Sequence, residues 1–244
     1  MAVILELINV SFIVQNQVIV KDFSYKFEKG KTTALIGPSG CGKSTVLKLC
    51  AGLLVPSQGQ VMYNDMDIFT MNRKDNLFFR RETSMVFQDS ALWANQNIFQ
   101  ILELPLRVHF PEMSLKERED KIRTVVKEVG YKRDLLIRPS QLSMGEQKLI
   151  AFARALICNP SLFFLDEWTE SLDDSSAQRL IEMVRSYQKE GDTIILVTHD
   201  FRIVKGMADY IVMIMEGQFN HMYTRQQMEQ DESLARYVEG GIAS

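Results

Sequence analysis

The chain has 244 residues, with 28 Lys+Arg against 31 Asp+Glu and a formal net charge of -3 at pH 7. That mild negative balance argues against binding nucleic acid through a broadly basic surface, and no nucleic-acid partner is expected. With 46% apolar and 24% charged residues, the composition excludes disordered, collagenous and acidic-tail proteins. It predicts a globular chain with one large domain, or a core carrying an inserted subdomain.

Cys41, Cys50 and Cys158 are too few and too scattered for a disulfide framework or a C-x-x-C metal pair, which suits a reducing compartment. Residues 1–6 lack the basic-then-apolar pattern of a secretory leader. No run nears the ~18 apolar residues that a spanning helix needs. Any membrane work is therefore expected to fall to another chain.

In chain order, apolar runs at Ile4–Ile8, Val18–Val20 and Tyr25–Phe27 predict strands joined by turns. Thr32–Ile36 predicts a short strand that ends at Gly37, and a helix follows from Ser44 to Leu53. Further strands are expected at Gln60–Tyr63, Thr83–Phe87, Leu162–Leu165, Thr193–Thr198 and Tyr210–Met215, with helices at Ser175–Lys189 and Phe201–Ala208. Such alternation predicts an α/β core with a mainly parallel sheet covered on both faces.

Between Asp89 and Asn159 strand signals fade. Ser114 and Glu117 have the spacing of a capping box, and Ile122, Val125, Val126 and Val129 follow at helical spacing. Ser143 opens another helix, with Leu149, Phe152, Ala153 and Leu156 on one face. The expected division is a core over residues 1–88 and 160–222, an inserted helical subdomain over 89–159, and a tail over 223–244, helical from Arg225 to Ser244.

Gly37-Pro38-Ser39-Gly40-Cys41-Gly42-Lys43-Ser44 fits the phosphate-loop pattern G-x-x-x-x-G-K-[ST], in the strand-then-helix context that the pattern requires. Its glycines let successive N–H groups face one concavity, and the helix N-terminus adds positive potential. Lys43 is expected at the β and γ phosphates and the Ser44 hydroxyl on Mg²⁺. Gly37, Ser39, Gly40, Cys41, Gly42, Lys43, Ser44 and Thr45 form the expected nucleotide-binding set. A second run, Leu162 to Glu167, is a buried strand with two carboxylates at its C-terminal end. Asp166 is expected to hold Mg²⁺ through water, and Glu167 to take the proton of an attacking water.

With these two motifs stand others, and together they resemble the nucleotide-binding subunit of an ABC transporter over nearly the whole chain. Gln88 is similar to the Q-loop glutamine, Leu142-Ser143-Met144-Gly145-Glu146 to the LSGGQ signature, and Ser171-Leu172-Asp173 to the D-loop. His199 is similar to the switch histidine, and Asn159-Pro160 and Ala151–Leu156 fit the same register. The resemblance implies the ABC ATPase fold, a P-loop core with N-terminal antiparallel strands and a helical insertion. It implies ATP and Mg²⁺ as ligands, with Gln88 at the metal and in catalysis and His199 at the γ-phosphate. It also implies that Ser143 and Gly145 cap ATP held by a second copy of the chain, and hence a homodimer.

Several positions depart from the family wording. Met144 and Glu146 replace Gly and Gln in the signature, which predicts slow hydrolysis and a carboxylate near the triphosphate. Val14 stands where the family has an aromatic that stacks on adenine, and Phe12 is the candidate substitute. Trp168 replaces a proline, which is read as local packing. Cys41 inside the phosphate loop suggests sensitivity to oxidation. His109 and His221 match no motif.

The stretch from Ser84 to Trp93, continuing through Asn97-Ile98-Phe99 to Leu104-Pro105-Leu106-Arg107, resembles ATPases of the Mla or MCE type, which serve bacterial phospholipid transport. So does Tyr237-Val238-Glu239-Gly240-Gly241-Ile242-Ala243. This implies an integral-membrane permease docked on the segment after Gln88, with Leu92, Trp93 and Phe99 as groove residues. It further implies MCE-domain and small cytoplasmic accessory partners, at the cytoplasmic face of the inner membrane. The alternatives are an importer or lipoprotein-release ATPase, and a small-molecule P-loop kinase.

Overall fold

The computed structural model describes residues 2–243, and side chains as far as Gly240. Met1 of the leader reading, Ser244 of the predicted tail and the side chains of Ile242 and Ala243 lie outside the described residues. The chain opens on a long hairpin, β1 (Val3–Val14) and β2 (Gln17–Glu28). Its turn residues Gln15 and Asn16 have φ of 47° and 64°, both left-handed as a two-residue hairpin turn of type I′ requires. Next come β3 (Thr32–Ile36), α1 (Lys43–Cys50), β4 (Gln58–Tyr63), β5 (Met66–Asp67), α2 (Arg73–Glu82) and β6 (Thr83–Val86). Three helices then separate β6 from β7: α3 (Ile98–His109), α4 (Leu115–Glu128) and, after a 3-10 turn at Pro139–Gln141, α5 (Met144–Leu156). The remainder is β7 (Leu162–Asp166), α6 (Asp174–Glu190), β8 (Thr193–Val197), α7 (Phe201–Met207), β9 (Tyr210–Met215), β10 (Gln218–Thr224), α8 (Arg225–Gln230) and α9 (Glu232–Ala243).

Two sheets result. An antiparallel sheet has the order β2-β1-β4-β5, and a second sheet has the order β10-β9-β3-β8-β7-β6. In the second, β9, β3, β8, β7 and β6 pair in parallel and β10 pairs antiparallel to β9. The fold is an α/β P-loop core with antiparallel N-terminal strands, as the sequence predicts.

Alternation along the central strands explains why both faces of the parallel sheet are covered. Phe163 and Leu165 of β7 join a cluster with Ile101 and Leu102 of α3, Val125 of α4 and Phe152 of α5. Leu162 and Phe164 point the other way, onto Leu47 of α1 and Leu5 and Phe27 of the antiparallel sheet. Phe163 and Phe164 are both essentially fully buried. Truncating either to Ala would cost about 3–5 kcal/mol. The helices between β6 and β7 thus share one continuous apolar cluster with the sheet.

Three elements differ from the sequence expectation. The three N-terminal runs are one hairpin of two 12-residue strands, because polar residues sit on its outward face. α2 is a helix where none was expected; its run Arg73–Glu82 is mostly charged and buries only Phe79. β10 extends the sheet beyond Met215, so the expected boundary at 222/223 falls inside a strand. Aromatic contact explains that edge: Phe219 stacks on Tyr25 with centroids 5.8 Å apart and meets Phe23 edge-on at 6.4 Å. Arg80 of α2 reaches the far end of α1 and donates to the carbonyls of Ala51 (2.8 Å) and Gly52 (2.7 Å), covering helix-end acceptors that would otherwise be orphaned.

Candidate active site

Four loops that carry the predicted site leave the C-terminal ends of four neighbouring parallel strands. Gly37 follows β3, Thr198-His199 follows β8, Glu167 follows β7 and Phe87-Gln88 follows β6, and the strand order is β3-β8-β7-β6. Ligands of open parallel sheets bind in this position, where strand C-termini and helix N-termini converge.

The phosphate loop is held against the rest of the core. Gly37 has φ 146°, and a Cβ there would lie 2.1 Å from the Ile214 carbonyl oxygen; at Gly42, φ is 100° and a Cβ would lie 2.9 Å from the Ile19 oxygen. A side chain at either position would push the loop off β9 or β2. Lys43 is buried, and its Nζ donates to the carbonyls of Gly37 (2.7 Å) and Pro38 (2.9 Å). Thr45 is half-buried in the first turn of α1, and Ser39 and Gly40 are exposed at the loop crest. Each of α2 to α8 carries a side-chain N-cap. α1 does not: its N-cap is Gly42 and its first turn holds no acidic residue. Its first-turn N–H groups are therefore left for an anion, the fit that a triphosphate requires.

At the adjoining strand end, Asp166 is 2% exposed and its Oδ1 accepts from the Ser44 hydroxyl at 2.9 Å. Burial pushes its carboxyl above the usual range, while the Ser44 hydrogen bond and Lys48, Lys148 and Lys43 pull it back. Ser44, Asp166 and Gln88 line one cavity of about 620 Å³, together with Lys48, Glu170 and Met144. This all-oxygen set of hydroxyl, carboxylate and amide suits Mg²⁺. Gln88 Nε2 donates to Glu170 Oε2 at 3.0 Å.

Glu167 is buried and its backbone is strained, with φ 44°. Its N–H donates to the Val197 carbonyl at 3.0 Å, and its Oε2 accepts from the His199 N–H at 3.2 Å. Glu167 Oε1 lies 3.3 Å from His199 Nε2 but has no aligned hydrogen-bond donor among the described residues. Burial raises the Glu167 carboxyl, His199 opposes that shift, and Asp166 and Glu170 add to it. The result is a poorly solvated carboxylate that lines, together with His199, a cavity of about 610 Å³. Such a group is suited to accept a proton.

The signature residues lie at the start of α5. Ser143 is its N-cap and accepts from the Glu146 N–H at 3.2 Å. Gly145 backs onto the D-loop: a Cβ on it would lie 3.1 Å from the Ser171 oxygen. Met144 is 70% exposed and projects outward. The expectation that Glu146 brings a carboxylate toward the triphosphate needs revision. Its Oε2 accepts from the Ser143 N–H at 2.8 Å and pairs with Arg133 at 3.2 Å, so the charge is folded back onto its own helix as a capping box.

Other departures resolve on packing. Trp168 is fully buried in the helical cluster, which fits the packing reading. The Cys41 thiol is buried, and desolvation pushes it up, which disfavours the thiolate that oxidation needs. Val14 is exposed beside the hairpin turn, whereas Phe12 packs onto the core of the antiparallel sheet. The ladder shifts register between Phe12 and Ile13, with the extra residue on the β2 side. His221 meets the Tyr223 ring at 4.5 Å, and His109 lines a groove with Phe87, Trp93, Pro105 and Cys158. Trp93 is exposed in that groove, whereas Leu92 and Phe99, expected as groove residues, do not line it and pack on the helical core instead.

A protein-family profile described as ABC transporter matches residues 20–170 of this chain. The chain belongs to the ABC transporter family. It is 36% identical over 210 residues to the ABC transporter ATP-binding protein YejF of Escherichia coli K12, covering 84% of this chain and 40% of YejF. To the methionine import ATP-binding protein MetN of Campylobacter jejuni it is 31% identical over 218 residues, covering 83% of this chain and 65% of MetN. The chain thus spans less than two thirds of the length of these curated relatives. Among solved structures, the dimeric post-hydrolysis state of the ATP-binding cassette MJ0796, bound to ADP and Pi, superposes with a TM-score of 0.83 at 25% identity, over 91% of this chain and 98% of that one. Sequence reasoning had no position for Lys148 or Glu170, although Lys148, a lysine on the apolar face of α5, was a visible anomaly.

Proposed function

We propose that this ABC cassette binds Mg·ATP at the β3–α1 loop and hydrolyses it as the motor subunit of a transporter. The observation that carries the reading is the convergence of Lys43, Ser44–Asp166, Gln88 and Glu167–His199 on one sheet edge. Lys43 and the bare α1 N-terminus bind the β and γ phosphates. Ser44, Asp166 and Gln88 would hold Mg²⁺, which would supply charge neutralisation and orientation of the phosphates. Glu167 takes the proton from water as the water oxygen bonds to the γ-phosphorus and the bridging oxygen leaves with ADP. His199 holds Glu167 and the γ-phosphate in register.

Ser143 and Gly145 lie on α5 with N–H groups at a helix start, a suitable cap for ATP bound by a second copy. A head-to-tail pair of chains is therefore the working unit, and the dimeric form of the MJ0796 cassette supports it. The groove of about 520 Å³ lined by Phe87, Trp93, Pro105 and His109 is the docking place for an integral-membrane permease, at the cytoplasmic face of the inner membrane. The division into a core over 1–88 and 160–222 and a moving helical subdomain over 89–159 belongs to the same reading. With the wording of residues 84–107, the groove supports an MCE-type phospholipid system with MCE-domain and small accessory partners.

The name of MetN favours a second reading, an importer motor. Affinity purification from native membranes separates the two. Co-purification of an MCE-domain protein with the permease supports the first, and an importer permease with a solute-binding protein supports the second. ATP-dependent phosphotransfer to a metabolite with no membrane partner would overturn both.

A further inference from the structure

α5 sends two cationic side chains into the loop that follows β6. Lys148 is 2% exposed, and its Nζ donates to the carbonyls of Phe87 (3.1 Å), Gln88 (2.5 Å) and Glu167 (3.4 Å). An ammonium carries three protons, and these three carbonyls engage them all. Six residues on, Arg154 donates to the carbonyls of Ala91 (2.6 Å) and Ser90 (3.2 Å). Ser90 and Ala91 have φ of 63° and 45°, a left-handed conformation that persists only where surroundings hold it. The whole backbone from Phe87 to Ala91 is therefore fixed from α5.

Lys148 alone of the two cations also reaches the opposite partner, the carbonyl of Glu167. That residue too sits at a left-handed φ of 44°. Burial pulls the Lys148 ammonium down, while Glu170, Asp89, Asp166 and Glu167 push it up. None of these carboxylates forms an ion pair with it among the described residues. The charge is held by carbonyl dipoles, an arrangement that is costly unless every donor is placed. A neutral apolar residue would pack the same space at lower cost, so the cation demands a positional explanation.

We propose that Lys148 is a positioning residue that holds Gln88 and Glu167 in one frame with the signature helix, so that the water-attack geometry follows the position of α5. This rests on the roles of Gln88 and Glu167 given above. Lys43 and the α1 N-terminus lie outside this frame, so nucleotide affinity is independent of it. Lys148→Met keeps the length of the stem and removes all three donors, and Lys148→Arg restores a cation with several donors.

Two measurements test the frame. In the nucleotide-free protein, hydrogen exchange of Lys148→Met is expected to speed up about fivefold or more in both segments 87–91 and 167–171. In steady-state hydrolysis the same variant is expected to lose about tenfold or more in kcat, with KM within about twofold and partial recovery in Lys148→Arg. Unchanged exchange in either segment overturns the proposal. So does a loss of kcat matched by an equal loss of nucleotide affinity and a lowered melting temperature, which would mark a purely structural lysine. A wild-type protein that does not hydrolyse ATP would instead overturn the reading of the site, and the exchange result still decides whether Lys148 bridges the two segments.

Discussion

The two sides of the site are held by different means. On the β3-β8-β7 edge, parallel pairing fixes the backbone up to Asp166, the last residue of β7, and Glu167 and His199 follow β7 and β8 within two residues. Gln88 follows β6 in the same way, but its loop is held in addition by Lys148 and Arg154 of α5. Strand pairing is cooperative along a whole ladder and resists displacement. Two side chains on one helix move with that helix. On the proposed reading, the proton acceptor sits where strand pairing holds the backbone, while the proposed metal-sensing Gln88 sits in a loop tied also to a helix.

Removing Glu167 should break the rigid side with the largest effect. Glu167→Gln is expected to lower kcat by about a hundredfold or more while ATP still binds, as checked by phosphate release and by nucleotide titration. The dimer should persist with ATP in sedimentation. A variant that keeps wild-type turnover would transfer the proton-accepting role elsewhere.

Acidification should act on the same side more gradually. Burial raises the Glu167 carboxyl, so hydrolysis should fall as pH drops through a value above the ordinary glutamate pKa of about 4.3. The limb should steepen toward tenfold per pH unit, and a pH–rate profile of kcat reads it directly.

Asp166 gives a smaller effect, on stability. A buried carboxyl raised in the folded state favours folding when protonated, and that contribution is lost as pH rises through the folded pKa. At neutral pH without Mg²⁺, Asp166→Asn should therefore melt a few degrees above the wild type, and the gap should close as pH falls. Persistence of the gap in acid would assign it to something other than ionisation.

The smallest change belongs to the moving side. Met144 is exposed on α5, so Met144→Gly should leave folding unchanged and raise hydrolysis by about twofold to fivefold by easing close backbone approach. An unchanged rate would show that Met144 does not limit turnover.

How much was legible in the sequence follows the same division. Gly37–Ser44 and Leu162–Glu167 are read without help because each couples a buried apolar strand to an abrupt polar end, and the structure puts Ser44 2.9 Å from Asp166 as that reading requires. Ser114 and Glu117 form the capping box that their spacing predicts, and Ser143 caps the helix that it was expected to open. What escaped was set by long-range contact. β10 is mostly polar and owes its place to Phe219 meeting Tyr25, 194 positions earlier in the chain, though Glu216-Gly217 is a local turn signal, with φ of 49° and 74°. α2 has little apolar surface, and only its Asn72 cap announced it. Glu146 was misplaced because spacing shows which residues share a helix end, and not which way a carboxylate turns.

The clasp of Arg80 on the end of α1 links two places that otherwise have no common residue. α1 has eight residues, a rod of about 12 Å. One tip carries the phosphate-facing N–H groups; at the other, Ala51 and Arg80 form part of the wall of the groove. The groove proposed to seat a partner and the loop proposed to grip a triphosphate thus lie at the two ends of one short helix.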